Sequence, residues 1–237
     1  MLIWSRPAPP TRPRALGRDE IVAAAIALAD EAGPDAVTMK AVAQRLGPYT
    51  PMALYRYVGS KDGLVDLMLD AAVATVPVPE APGADWRSDL RAVALATRQM
   101  IQRHPWYGWL VHTRPPAGPY TMRRTEFLLA VLVGCGTTVD DAMSFAALID
   151  RHIFGSGLQE TQEARFNASH GIDSQESLLS AIAAVRDLAV ADGRVPLLAG
   201  WLARPRTATF DEQFELGLEF LLDGIAGRLP RSRRRRT

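Results

Sequence analysis

Residues 50–64 read TPMALYRYVGSKDGL and place two tyrosines, an arginine and a lysine in one short helix and its exit. Thr50 is a good N-cap residue, and Pro51 suits the first helical position, where no N–H donor is required. Gly59 interrupts the pattern after about two turns. The stretch therefore predicts a short helix with an aromatic and cationic surface.

The apolar residues of this helix predict its orientation. If Leu54 and Val58 face a core, a rotation of about 100° per residue turns Met52 and Arg56 outward and leaves Tyr55 on a flank. An outward arginine can reach base edges in a DNA groove, whereas tyrosine and lysine side chains can donate hydrogen bonds to phosphates. The alternative is that the tyrosines are core aromatics and the charged residues form a solvated surface.

Two more helices are predicted upstream. The first covers residues 18–32, and the second is capped by Thr38 and ends before Gly47. Because helices this short are not stable alone in water, the three must share a small core. The expected core residues are Leu28, Val42, Leu46, Leu54 and Val58.

Two short helices separated by a turn, the second with a cationic outer face, match a helix-turn-helix whose second helix enters the major groove. Lys61 begins the next helix, whose N-terminal N–H groups and partial positive charge favour a phosphate. Lys40 lies on the exposed side of the preceding helix and is a weaker candidate.

The stretches IVAAAIALADEAGPDAVTMKAVAQRLG and MALYRYVGSKDGLVDLML resemble the N-terminal pattern of the TetR family of bacterial transcriptional regulators. One departure is that six residues, PYTPMA, separate Gly47 from Leu54, where five are usual in the family. The resemblance implies a homodimer in which each chain joins a three-helix DNA-binding domain to a larger helical body. It places Lys40, Pro51, Ala53 and Arg56 at base-level positions and Thr50, Tyr55, Tyr57 and Lys61 toward phosphates, and the outward Met52 completes the predicted DNA-binding set.

The composition fits a globular protein, since 48% of the 237 residues are apolar and 22% are charged. A single cysteine, Cys135, excludes a disulfide framework, and no apolar run is long enough to cross a bilayer. We expect a cytoplasmic protein without a membrane partner. Residues 1–17 are expected to form a flexible basic arm, and residues 229–237 a disordered arginine-rich tail.

Helical spacing of apolar residues along the chain predicts an all-α fold. Residues 18–64 would form the helix-turn-helix DNA-binding domain, and residues 65–228 a helical ligand-binding and dimerisation domain. After a fourth helix from Lys61 and a proline-rich connection at 77–83, helices are expected at 85–104, 106–112, 119–134, 138–166, 174–192 and 209–228.

Two of these helices have the pattern of a dimer interface. The helix at 209–228 carries two apolar stripes, too many for a single buried face, and the helix at 138–166 contains a GSG patch that permits close approach. We expect a four-helix interface built from two copies, and the alternative is interior packing within a monomer. The predicted interface residues are Ile149, Ile153, Gly157, Phe214, Gly217, Leu218, Leu221 and Ile225.

The segment HPWYGWLVHTRPP, residues 104–116, offers flat apolar walls with polar tips for a small-molecule pocket, although core aromatics are the commoner explanation. More loosely, residues 85–166 resemble the C-terminal domain of one TetR subgroup, and bodies of this kind enclose such pockets. The predicted ligand-binding residues are Met100, Trp106, Trp109, His112, Phe127, Met143, Phe145 and His152.

No catalytic constellation is found, because the four histidines lack the paired spacing of a helical zinc site and the GSG at 155–157 has no preceding strand. We expect no enzyme, no metal and no cofactor. The expected function is that of a dimeric repressor, released from a double-stranded DNA operator by an unknown small-molecule ligand. The alternative is a helical dimeric ligand-binding module without sequence-specific DNA binding.

Overall fold

The computed structural model describes residues 16–114, 117–204 and 209–230. Nearly all of the predicted basic arm and most of the arginine-rich tail lie outside these ranges. Within them the chain is helical and contains no strand, so the predicted fold class is confirmed. A short 3₁₀ turn spans Pro34–Ala36, and the helices are α1 Arg18–Ala32, α2 Met39–Leu46, α3 Pro51–Val58, α4 Lys61–Val73, α5 Trp86–Arg103, α6 Trp106–Val111, α7 Pro119–Gly134, α8 Val139–Ser169, α9 Gln175–Asp192, α10 Pro196–Leu202 and α11 Phe210–Ala226.

Two compact units can be distinguished in the chain. The first contains the described residues up to Leu158 and those from Gly217 onward, and the second covers Gln159–Leu216. Helix α10, in the second unit, was not predicted, since seven residues with an internal Gly200 show too little periodicity. The predicted division between residues 64 and 65 stays a prediction.

The first three helices share a core, as the sequence predicts. Val42, Leu54 and Val58 are fully buried, while Leu28 and Leu46 are half-buried. Residues of α1 that the prediction left out of this core complete it: Ile21, Val22, Ala25 and Ala29.

Helix α4 is the central helix of the first unit, because nine of its 13 residues are buried. It begins with an N-cap by Ser60, whose Oγ accepts the Gly63 N–H at 2.9 Å. A Cβ atom at Gly63 would lie 2.2 Å from the Val58 carbonyl oxygen. This close approach sets the position of α4 against the end of α3.

The interior of the first unit contains a charged pair. Arg124 is buried on α7, where its Nη2 lies 2.7 Å from Asp150 Oδ1 of α8 and its Nε donates to Thr97 Oγ1 at 2.9 Å. The Tyr107 ring is buried nearby, and burial raises the pKa of its hydroxyl. Because the guanidinium is hydrogen-bonded at both positions, the pair fixes α5, α7 and α8 together.

A second set of ion pairs joins α5 to α11. Arg87 and Arg91 both donate to the Glu219 carboxylate, and Arg87 also lies 2.7 Å from Asp223. The hydrogen bond from Arg87 lowers the pKa of Glu219.

None of the described helices is both long and apolar enough to cross a membrane.

Replacing Gly63 by Ala tests the contact between α3 and α4. The new methyl group would overlap the Val58 carbonyl, so we expect a loss of about 1–3 kcal/mol in the free energy of unfolding. Gly134→Ala is the matched control, since Gly134 is also helical but has no neighbouring atom within 4 Å of its Cβ position. Equal denaturation midpoints for the two variants in urea would contradict the proposed close packing.

Candidate functional site

The outward face of α3 is the one that its periodicity predicts. Met52 is 73% exposed and Tyr55 37% exposed, whereas Leu54 and Val58 are buried. Arg56, one turn after Met52, is exposed as well. Of the other predicted DNA contacts, the exposed ones are Lys40, Thr50 and Lys61, and the half-buried ones are Pro51, Ala53 and Tyr57.

The lengthened turn between α2 and α3 covers residues 47–50. Gly47 has φ +105°, a conformation that favours glycine, and its carbonyl accepts the Tyr49 N–H at 2.8 Å. Thr50 then caps α3, because its Oγ1 accepts the Ala53 N–H at 3.3 Å. The additional residue is accommodated before the cap, so the helical positions within α3 are those obtained by counting back from Leu54.

Helix α3 is held near its C-terminal end by a hydrogen bond from α1. Arg18 Nε donates to the Tyr57 carbonyl at 3.3 Å, near the end of α3. Lys61 follows as the first residue of α4 and is exposed. The start of α4, whose first residue is Lys61, therefore lies next to the end of α3.

The charges of this region differ in how they are paired. Arg45 forms a bidentate ion pair with Glu31, with distances of 2.7 and 2.5 Å. In the described ranges Lys40, Arg56 and Lys61 form no ion pair or hydrogen bond through their side chains. Three exposed cations therefore remain available to an anionic partner such as DNA.

The comparison with protein families decides what this arrangement is. Residues 21–68 match the model of the bacterial regulatory proteins of the tetR family, and residues 78–229 match the tetracyclin repressor-like C-terminal domain. The chain belongs to the TetR family. It is therefore a DNA-binding transcriptional regulator, and the resemblance seen in its N-terminal sequence is confirmed.

Relatives of this TetR regulator cover nearly its whole length. An HTH-type transcriptional regulator of Saccharopolyspora erythraea is 30% identical over 225 residues, which are 94% of this chain and 91% of the relative. The HTH-type transcriptional repressor DrrR1 of Streptomyces coeruleorubidus is 32% identical over 227 residues, 94% of this chain and 83% of the relative. Both names describe regulators of transcription.

A similar solved structure is that of the TetR family protein ActR of Streptomyces coelicolor in complex with actinorhodin. Its TM-score is 0.75 at 25% identity, and the alignment covers 90% of this chain and 98% of that chain. This similarity shows that the fold of the chain, as well as its sequence, is that of the TetR family.

The predicted ligand-binding residues differ in how far they are exposed. Trp106 is buried, and its indole N–H donates to Asp30 Oδ1 at 2.6 Å. Met100 is also buried, and Phe127 lines a cavity. Trp109, His112 and Met143 are exposed, and Phe145 and His152 are half-buried. Their role in ligand binding stays a prediction.

The cavity beside Phe127 lies between the connection at 77–83 and helix α7. Its volume is about 600 Å³, within the range of roughly 300–1,000 Å³ that ligand sites usually have. The sequence analysis missed it, because a proline-rich connection carries no periodic signal. The lining residues are Val78, Pro79, Glu80, Pro82, Arg123, Glu126, Phe127 and Ala130.

Most of the predicted dimer-interface residues are covered within the single chain, and their role in dimerisation stays a prediction. The stripe through Phe214, Leu218 and Ile225 is buried within the single chain, as are Ile149, Ile153 and Gly157 of α8. Gly217 and Leu221 are half-buried, and a Cβ atom at Gly217 would lie 2.5 Å from the His152 ring. These residues pack helices together inside one chain. The sequence pattern could not reveal this, because a core helix and an interface helix have the same apolar periodicity.

The second stripe of α11 runs through Leu216, Phe220 and Leu222, of which Leu222 is buried and the other two are exposed. Phe220 is 68% exposed, and Gly224, one turn later, has no atom within 4 Å of its Cβ position. On α8, Leu148 and Gly155 are exposed in the same manner. An interface between two copies would therefore use Phe220, Gly224, Leu148 and Gly155.

Replacing Phe220 by Glu tests this surface. A charge in the centre of the interface and the loss of a buried phenyl ring, worth about 1.5–3 kcal/mol per chain, should shift the protein toward monomers. Light scattering after gel filtration measures the mass. Val133→Glu, at an exposed apolar position on α7, should leave the dimer intact, and a dimeric Phe220→Glu variant would exclude this face.

Proposed function

We propose that this TetR regulator is a cytoplasmic homodimeric repressor that binds its operator through α3 and is released by a small molecule bound in the helical body. The single observation that carries the DNA half is the exposed cationic face of α3 and the start of α4, with Arg56 and Lys61 unpaired among the described residues. Arg56 reaches base edges, and Lys61 contacts a phosphate.

The alternative, a ligand-binding module without DNA recognition, depended on the lengthened turn. That turn leaves Thr50 as the cap of α3 and keeps Met52 and Arg56 on the outside. A helix of this kind can enter a major groove when its dimer partner lies about 34–36 Å away. The geometry of α3 therefore favours DNA binding over the alternative.

Release of DNA requires that the body acts on α3, and α4 supplies the connection. Three aspartates spaced four residues apart on α4 bind Arg114, which follows α6, and the start of α7. Arg114 donates to Asp62 Oδ1 and to Asp66 Oδ1, each at 2.8 Å. Asp70 is buried and accepts the Thr121 N–H at 2.8 Å.

Arg114 has two effects on the DNA-binding end of α4. Partial burial opposes its charge, but the hydrogen bonds to Asp66 and Asp62 outweigh burial, and the pKa of the guanidinium is raised. The ion pair also places a positive charge beside Asp62, which is adjacent to Lys61 and would otherwise repel a phosphate more strongly. A shift of Arg114 would alter both the position and the charge of the start of α4.

A second connection joins α1 to the start of α6. The Asp30 carboxylate lies 2.8 Å from His104 Nδ1 and accepts the Trp106 indole N–H. Helix α6 is thus held at one end by α1 and beyond its other end by α4. A ligand that favours a different position of α6 or α7 would shift the population of DNA-binding conformers.

Substitutions of Arg56 and Lys61 should affect operator binding in different ways. Arg56→Ala should cost about 1–3 kcal/mol and relax the preference at one base pair per half-site. Lys61→Ala should weaken binding to all sequences alike and reduce the salt slope by about one unit for each phosphate that is no longer neutralised. Fluorescence anisotropy with operator and random duplexes at several salt concentrations measures both effects.

Arg45→Ala is the control for these variants, because Arg45 is paired with Glu31. It should leave both the affinity and the salt slope close to those of the unmodified protein. Equal, sequence-independent losses for Arg56→Ala and Lys61→Ala would contradict the division into base and phosphate contacts. Normal operator binding by the double variant would show that other residues bind the operator, whereas only equal, weak binding of operator and random duplexes by the unmodified protein would leave the ligand-module alternative.

Replacing Arg114 by Ala tests the connection through α4. Removing hydrogen bonds to two carboxylates should lower the free energy of unfolding by about 1.5–3 kcal/mol and weaken operator binding. Thermal unfolding and operator titration give the two measurements. Arg186→Ala is the control, since Arg186 pairs with the adjacent Asp187. An unchanged melting temperature together with unchanged operator affinity would exclude this role.

A further inference from the structure

The first turn of α3 is apolar, although it lies at the end of the helix that a helix-turn-helix presents to base edges. Pro51, Met52 and Ala53 are its first three residues, and none of their side chains carries an N–H or O–H donor. Thr50 lies before the helix, where its Oγ1 accepts the Ala53 N–H at 3.3 Å. The three side chains that begin α3 therefore cannot read a base pair by donating hydrogen bonds to it.

Met52 is the most exposed of these three side chains. It is 73% exposed, whereas Pro51 and Ala53 are half-buried. A methionine side chain has three rotatable bonds and a polarisable sulfur, so it can adapt to an apolar surface of irregular shape. An apolar group in the major groove would therefore meet Met52 before the other two residues.

The charges near Met52 favour DNA as the partner of this apolar side chain. Arg56 lies one turn further along the same face of α3 and is exposed, and the exposed Lys61 begins α4 shortly after α3 ends. A protein partner would have to be acidic as well as apolar. DNA supplies the negative charge through its phosphates and leaves the base edges to the side chains of α3.

The major groove offers one apolar group among its base edges. Thymine presents its C5 methyl group beside the O4 acceptor, whereas adenine, guanine and cytosine present hydrogen-bond donors and acceptors. Contact between this methyl group and an exposed methionine removes apolar surface of both from water. 5-Methylcytosine carries a methyl group on the same ring atom and offers the same apolar contact.

We propose that Met52 is a specificity-determining residue that contacts the C5 methyl group of a thymine in each operator half-site. This inference rests on the proposed function, since it names the base that the first turn of α3 reads. Met52 and Arg56 are about 6 Å apart along the helix axis, so this thymine lies within about two base pairs of the pair that Arg56 reads. Because Met52 recognises the methyl group itself, 5-methylcytosine can take the place of the thymine.

Single methyl groups of the operator can be removed and added to test this contact. A duplex selected from a random pool by the full chain supplies the operator, and each thymine is replaced in both half-sites by deoxyuridine, which lacks only the methyl group. One symmetric pair of positions should lose about 15-fold in affinity, because each methyl contact contributes about fourfold. At that pair, cytosine should bind more weakly than 5-methylcytosine by a similar factor. Fluorescence anisotropy measures the affinities.

Substitutions of Met52 assign the methyl effect to its side chain. Met52→Ala should reduce the ratio of thymine to deoxyuridine affinities to about one, since no atom beyond Cβ remains to contact the methyl group. Met52→Leu should keep most of the ratio, because leucine is apolar and of similar volume. Met122→Ala is the matched control and should keep the full ratio, because Met122 is 57% exposed on α7, outside the helix-turn-helix.

Two results would overturn the role of Met52, and both can be separated from failure of the proposed repressor function. The first is equal affinity for thymine and deoxyuridine at every position, and the second is a ratio that Met52→Ala leaves unchanged. If Arg56→Ala still weakens binding to the selected duplex in either case, DNA recognition by α3 stands without the methyl contact. If no duplex is selected above random DNA, the proposed DNA recognition fails, and the inference fails with it.

Discussion

The hydrogen bonds along one face of α4 hold this central helix against Arg114 and the start of α7, and the positions of the neighbouring helices depend on them. Asp62, Asp66 and Asp70 lie four residues apart, so successive carboxylates lie on the same side of the helix, where the first two accept from Arg114 and the last accepts from the start of α7. The first carboxylate is exposed and the last is buried. Solvent therefore weakens the hydrogen bond of the exposed Asp62 more than that of the buried Asp70. The start of α4 is consequently the part of this helix that a small free-energy change can displace.

Close packing makes this face sensitive to small displacements. A Cβ atom at Gly118 would lie 2.0 Å from Asp70 Cγ, and one at Gly108 would lie 3.2 Å from the Leu158 backbone nitrogen. Helices α6 and α7 consequently have no empty space toward α4 and α8 at these points. In a close-packed interior, a shift at a ligand cavity is transferred to neighbouring helices rather than absorbed locally.

The local sequence was sufficient for the recognition helix, because caps and periodicity determine its geometry. Thr50, Pro51 and Gly59 specify where α3 begins and ends, and Leu54 and Val58 specify its inner face. The same periodicity could not distinguish a core stripe from an interface stripe on α11, since Phe214 and Phe220 are equally apolar and differ only in what covers them. The cavity was missed for a related reason. Glu80 and Glu126 are 46 residues apart and meet only through the fold.

The DNA-binding face and the cavity lining differ in charge. Lys40, Arg56 and Lys61 leave the helix-turn-helix cationic, which favours a polyanion, whereas Glu80 and Glu126 leave the cavity lining acidic. A polyanion such as DNA is therefore attracted to the helix-turn-helix and repelled by the lining. Arg114 shares its one positive charge between Asp62 and Asp66 at the start of α4, directly after Lys61, so these ion pairs reduce the negative charge beside the DNA-binding face without removing it.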